Sequence, residues 1–134
     1  MYWVLKALGK HGYIQPALQI IERYYGNLLD KGASTWWENF NADQHRFNTL
    51  SHAWGGAPTW FLSTYLAGFE QTGPASFRWQ PALTSLPTLS AKAPLAENTI
   101  ELSWQTLECS RVQLIINIPP GIQGEFSIPD DNDY

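Results

Sequence analysis

The apolar residues near the start of the chain repeat with the period of an α-helix. They recur at spacings of four and three, as on one helix face, at Ile14, Leu18, Ile21, Tyr25 and Leu28. Residues 2–8 have the same periodicity without a capping residue in front, which predicts a chain cut from a longer protein. A Gly-Lys-His-Gly turn separates the two patterns. Residues 2–31 therefore predict a helical hairpin.

The periodicity then stops and returns once. Residues 32–50 mix Gly, Ser, Thr, Asn and Asp with Trp and Phe, which predicts a long, ordered loop of the kind that often carries function. A third helix is expected to begin near Ser51, or at Pro58, and to end at Gly68. Gly55 and Gly56 would allow the backbone to approach a neighbour or a ligand closely.

The pattern changes to that of β-strands beyond residue 73. Seven of the nine prolines fall in this part, which excludes long helices. Strands are predicted where apolar and polar residues alternate or where β-branched residues cluster, at residues 77–80, 99–104, 112–118 and 124–128. The prediction is an α+β protein with about three helices over residues 1–73 and an antiparallel β-sheet over residues 74–134.

Composition and charge narrow the class of protein. The chain has 134 residues, of which 44% are hydrophobic and 14% aromatic, enough for a core. The net charge of -4, without a basic run, argues against nucleic-acid binding. No apolar run has the roughly 18 residues of a membrane span, and we predict no membrane partner. The start lacks a signal-peptide pattern, which leaves a periplasmic, secreted or cytoplasmic location open.

The candidate chemistry lies in the loop and at the start of the third helix. Glu38 follows the indoles of Trp36 and Trp37, and His52 and Trp54 come shortly afterwards. A carboxylate among indoles is partly desolvated, which suits a general acid or base, and an indole can stack on a sugar ring. The ordinary alternative is a loop glutamate paired with a Lys or Arg, beside tryptophans of the core.

The sequence does not contain the residue patterns of metal sites or of other common kinds of active site. The three histidines show no metal-ligand spacing, and the single cysteine leaves no thiol cluster. Nucleophile elbows, phosphate-binding glycine loops and Cys/His pairs are likewise absent from the sequence. We expect no metal and no cofactor, and hydrolysis by carboxylates is what remains.

Together these motifs resemble a known family. Residues 32–38 (GASTWWE) and 51–58 (SHAWGGAP), followed by 65–68 (YLAG) and 79–81 (WQP), are similar to the C-terminal part of bacterial α-L-rhamnosidases. The resemblance covers nearly the whole chain. It implies the last helices of an (α/α)6 catalytic barrel, then part of a C-terminal β-sandwich.

The resemblance also implies a mechanism and its residues. Members of this family hydrolyse terminal α-L-rhamnosides with inversion, using one carboxyl group as acid and another as base. Glu38 matches the base and His52 a histidine of the rhamnose subsite, while Trp36 or Trp37, and Trp54, would border the pocket. The acid belongs to earlier barrel helices that this chain lacks. The chain alone is therefore expected to be inactive, and its uncovered helix faces to self-associate.

Two further interpretations compete with a piece of a glycoside hydrolase. A non-catalytic carbohydrate-binding module would use the aromatic side chains alone, with Glu38 accepting a sugar hydroxyl. A structural unit of helices and a sheet would have no ligand. It would bury all three tryptophans and hold Glu38 in a salt bridge.

Overall fold

The chain folds into a helical part followed by a β part, as the computed structural model of residues 1–108 and 111–128 shows. It divides into two compact units, the first covering Met1–Phe61 and the second beginning at Leu62. The α-helices are α1 (Tyr2–Lys10), α2 (Ile14–Asp30) and α3 (Ala57–Phe61). None of the helices in the described residues is long and apolar enough to cross a bilayer.

Glycines end the first two helices. Gly12, at φ 73°, follows α1, and Gly32, at φ 82°, follows α2, where a side chain would strain the backbone. After α2 the amide of Gly32 donates to the carbonyl of Leu29 (2.8 Å), and that of Ala33 donates to Leu28 (3.0 Å). This pair of bonds is a Schellman motif, which satisfies the last carbonyls of the helix. The predicted hairpin over residues 2–31 is confirmed.

The third helical segment is continuous but irregular. A 3-10 turn over Ala53–Gly56 leads into α3, and a π turn over Leu62–Leu66 follows it. Pro58 lies in the first turn of α3, where its missing amide hydrogen costs no helical hydrogen bond. The ring of Trp60 packs against that of Tyr2 on α1, with centroids 4.8 Å apart. A helical segment is thus present where one was expected, between residue 51 and Gly68. It consists of a 3-10 turn, a short α-helix and a π turn.

The second compact unit, called the β unit below, contains two three-stranded sheets in its described residues. Its strands are β1 (Phe69–Gly73), β2 (Ser76–Trp79), β3 (Thr88–Leu95), β4 (Asn98–Thr106), β5 (Val112–Asn117) and β6 (Gln123–Phe126). The first sheet has the order β1-β2-β6, in which β2 pairs with β1 antiparallel and with β6 parallel. The second sheet has the order β3-β4-β5 and is antiparallel throughout.

The two sheets share one hydrophobic core. Register places Ala93 opposite Ile100 and Ala91 opposite Leu102, so that these side chains point to one face of the second sheet. They pack with Phe77 of the first sheet in a single cluster, which also contains Trp79, Leu95 and partly buried side chains of β1 and β5. The β unit is therefore a small sandwich of two facing sheets.

The predicted α+β class is confirmed, with differences in detail. The β part has two sheets instead of one, and the parallel β2–β6 pair makes the first sheet mixed. Strands β1 and β3 were not predicted. Residues 69–73, which the sequence placed in the helical segment, form β1.

Strand β3, which was not predicted, contains a proline. Pro94 lies within β3 opposite Thr99, although proline has no amide hydrogen for a ladder. It is tolerated because β3 is an edge strand, which pairs with a neighbour on one side only. Edge position is a property of the sheet and is invisible in the local sequence.

Candidate functional site

The two motifs that carry the candidate residues lie side by side in the helical unit. The amide of His52 donates to the carbonyl of Trp36 at 2.6 Å, and the amide of Glu38 donates to the carbonyl of Thr49 at 3.1 Å. The hydroxyl of Thr35 donates to the carbonyl of Leu50. These bonds join residues 35–38 to residues 49–52 in an antiparallel arrangement, so the structure brings the two sequence motifs together.

Glu38 is anchored at this junction and faces solvent. Its Oε2 accepts a hydrogen bond from the amide of Thr49 at 3.0 Å, which closes the carboxylate against the backbone of the opposite segment. The side chain is exposed, whereas the sequence analysis expected it to be partly desolvated among indoles. The alternative interpretation, a salt bridge of Glu38 with a basic side chain, is also not found, because no Lys or Arg of the described residues pairs with Glu38.

The adjacent indoles have different environments. Trp37 is only 7% exposed and packs in a cluster with Tyr25, Leu28 and Ala42. Trp36 is 40% exposed and meets the edge of the Tyr25 ring at 6.0 Å between centroids. One indole of the pair was expected to be structural, and that indole is Trp37. Trp36 is the more exposed indole of the pair.

Tyr25 contacts Trp36 edge-to-face and packs in one cluster with Trp37. Its ring also contacts Phe40 edge-on, with 5.2 Å between centroids. Burial raises the pKa of its phenol above the ordinary value. Tyr25 is therefore the aromatic neighbour that Trp36, Trp37 and Phe40 share.

His52 belongs to the segment that pairs with residues 35–38, in which the amide of His52 donates to the carbonyl of Trp36, and Trp54 follows two residues later. Both side chains are exposed, Trp54 to 58%. Gly55 and Gly56 allow the close packing here, because a Cβ on Gly55 would meet the backbone carbonyl oxygen of Trp37 at 2.5 Å. The expected close approach at these glycines is confirmed, and the neighbour is the Trp36–Trp37 segment.

A further group of polar and aromatic residues was missed in the sequence. The Glu38–Thr49 pair closes a loop over residues 39–48, which contains one 3-10 turn at Ala42–Gln44. An open depression of about 640 Å³ lies in this loop, lined by Asn39, Phe40, Asn41, His45, Phe47 and Asn48. Scattered asparagines in an aperiodic segment show no spacing that predicts this grouping. The signal available was the unusual number of amides directly after Glu38.

Metal binding has no support among the described ranges 1–108 and 111–128, where no group of three or more His, Cys, Asp or Glu side chains could hold an ion. The site instead offers one carboxylate, one imidazole and two exposed indoles. These groups can hydrogen-bond hydroxyls, accept a proton from water and stack on the apolar face of a ring.

No protein-family model matches the chain, and no curated protein sequence matches it either. The functional assignment therefore depends on the motifs and on their arrangement in the fold.

Proposed function

We propose that this chain is the C-terminal part of an inverting α-L-rhamnosidase, in which Glu38 is the base that activates water. The observation that carries the proposal is the pairing of residues 35–38 with residues 49–52. It sets an anchored, exposed carboxylate beside the exposed indole of Trp36 and the backbone of His52. In this arrangement Trp36 and Trp54 would contact the rhamnose ring, and His52 would bind a hydroxyl.

The second pair of motifs in the resemblance also lies together. The amide of Gln80 donates to the carbonyl of Gly68 at 2.9 Å, and the amide of Ala82 donates to Leu66 at 3.1 Å. The buried indole nitrogen of Trp79 donates to the carbonyl of Ala67 at 2.9 Å. The 65–68 and 79–81 motifs thus lie against each other where the helical segment ends and the strands begin, which supports reading them together.

Glu38 alone cannot complete the reaction. Inversion needs an acid to protonate the leaving oxygen while the base takes a proton from the attacking water. In the proposal that acid is supplied by a barrel region outside these 134 residues. The chain by itself would therefore bind part of the substrate and release no rhamnose.

The proposal is tested by joining the chain to the upstream barrel region of its parent protein. The joined protein should release rhamnose from an aryl α-L-rhamnoside, and these 134 residues alone should not. Glu38→Gln in the joined protein should lower kcat by about 10²–10⁴-fold, because the amide cannot accept the water's proton. Unchanged kcat in a folded Glu38→Gln protein would contradict the assignment.

A matched control separates this effect from disturbance of the surface. Glu22 is an exposed glutamate on α2, outside the site, and Glu22→Gln removes the same charge. Its kcat should equal that of the unaltered protein. A comparable loss in both variants would show that charge, not proton transfer, is responsible.

A non-catalytic carbohydrate-binding module is the second candidate. The exposed indoles of Trp36 and Trp54 favour it, since stacking alone needs no acid. The burial of all three tryptophans, which a purely structural unit requires, is not found. Calorimetric titration of the isolated chain with rhamnose decides between the first two: binding at micromolar concentration favours a module, and binding that is at least about a hundredfold weaker favours a divided active site.

A further inference from the structure

The loop over residues 39–48 is held in place at two points. Its ends are joined by the two hydrogen bonds between Glu38 and Thr49. Its middle is held by Lys31, whose Nζ donates to the carbonyl of Phe40 at 3.2 Å and lies 3.3 Å from the Asp43 carboxylate. The depression in this loop is therefore a preformed feature, since its walls are tied to the end of α2.

The walls of the depression are polar and include no carboxylate, lysine or arginine side chain. Among its lining residues the hydrogen-bonding groups are three carboxamides and one imidazole, belonging to Asn39, Asn41, Asn48 and His45. Asn39 uses its Oδ1 to accept from the amide of Asn41 at 3.0 Å, and a carboxamide also has two N–H donors. Such a lining suits a neutral ligand with several hydroxyl groups better than an ion.

Two phenylalanines of the depression have opposite roles. Phe40 is half-buried, and its ring contacts those of Tyr24 and Tyr25, both at 5.2 Å between centroids. Phe47 is 95% exposed, so its ring meets almost nothing else in the described residues. A fully exposed ring beside free carboxamides is the pairing that sugar recognition needs, because the ring covers the apolar face while amides bind the hydroxyls.

We infer that this depression binds a second, neutral sugar unit of the glycan, adjoining the unit held at Glu38 and Trp36. Phe47 would stack on that sugar, and Asn41 and Asn48 would bind its hydroxyls. The inference rests on the proposed function for the identity of the first sugar. Its own residues lie outside the set that the resemblance supplied.

The test uses the whole chain and three probes: methyl α-L-rhamnoside, a disaccharide of rhamnose linked α-1,6 to glucose, and cellobiose. The disaccharide should bind about tenfold more tightly than the methyl glycoside. In NMR spectra it should shift the side-chain amide signals of Asn41 and Asn48. Phe47→Ala should abolish the difference between the two ligands and leave the affinity for the methyl glycoside unchanged.

Leu29→Ala is the matched control. Leu29 is an exposed apolar residue of α2 and does not line the depression. Leu29→Ala should leave all three affinities unchanged. Circular dichroism of Phe47→Ala should match the parent, since an exposed ring adds little to the core.

The outcomes separate this inference from the proposed function. Cellobiose binding that depends on Phe47, without any rhamnoside binding, would support the depression as a sugar site and contradict the rhamnosidase assignment. Disaccharide binding that is no tighter than binding of the methyl glycoside, that leaves the Asn41 and Asn48 signals in place and that Phe47→Ala does not change would overturn the inference alone. If none of the probes binds, the inference is also overturned.

Discussion

The helical unit and the β unit differ in how many of their large hydrophobic side chains are buried. Of the eight largest fully buried side chains, six belong to the β unit and only Leu5 and Phe61 to the helical unit. Among described residues the large apolar side chains exposed by more than half are mostly helical: Trp3, Tyr13, Leu29, Phe47 and Trp54, against Ile128 alone in the β unit. The sandwich encloses its own core, whereas the helical unit leaves more of its large apolar side chains exposed.

The largest predicted effect concerns the close packing of backbone segments in the β unit at Gly68. Gly68 has φ +72°, and a Cβ there would overlap the carbonyl oxygen of Gln80, which belongs to a rigid backbone. Gly68→Ala should therefore lower the free energy of unfolding by about 3–5 kcal/mol, measured by urea denaturation.

Gly121→Ala is the control for this prediction. Gly121 has a similar φ of +83°, but a Cβ there meets no heavy atom of the described residues within 4 Å. It should cost only about 1 kcal/mol, the strain of the left-handed backbone. Equal losses in the two variants would show that φ, and not the contact with Gln80, sets the requirement for glycine.

The next prediction concerns the exposed helical surface. We expect the chain to self-associate through α1 and α2, where Trp3 is 66% and Leu29 is 70% exposed. Trp3→Lys combined with Leu29→Lys should raise the dissociation constant at least about tenfold, because each lysine would have to be desolvated at the interface. Sedimentation equilibrium measures this.

The β unit again supplies the control. Ile128→Lys changes its most exposed large apolar side chain in the same way and should leave association unaltered. If the unaltered chain is monomeric, the prediction is wrong. If Ile128→Lys weakens association as much as the double variant Trp3→Lys and Leu29→Lys, the self-associating surface does not lie on the helices.

The smallest prediction concerns the charges on the outer face of the second sheet. A hydrogen bond from Lys92, 2.7 Å from Glu101, lowers the pKa of the Glu101 carboxyl, and a hydrogen bond from Asn117 adds to this. Because the folded pKa lies below the unfolded one, this contribution to stability is present above the unfolded pKa. It is lost as the pH falls through the folded pKa.

Lys92→Met should therefore raise the pKa of Glu101, as followed by NMR titration, with little change in stability at neutral pH, since both groups are exposed to solvent. Lys6→Met, on α1, should leave the Glu101 titration where it is. A Glu101 pKa that stays low in Lys92→Met would assign the shift to Asn117.

The order of helices, loop and strands was predictable because it depends on local patterns. The spacing of Ile14, Leu18 and Ile21 predicts α2 whatever its partners are, and the alternation from Thr99 to Trp104 predicts β4. Strand β1 escaped prediction because its FEQTG sequence has a single large apolar residue, and it forms by pairing with β2. Its existence depends on the neighbouring strand.

The candidate site was predictable in its members but not in their roles. The sequence by itself determined that Glu38, His52 and three indoles lie within a short stretch, since composition and order are local facts. Only the tertiary structure decided that Trp37 packs into the core while Trp36 faces outward, and that residues 39–48 form a depression beside Glu38. The physical reason is that burial and hydrogen-bond pairing are set by contacts between distant segments, which no local pattern specifies.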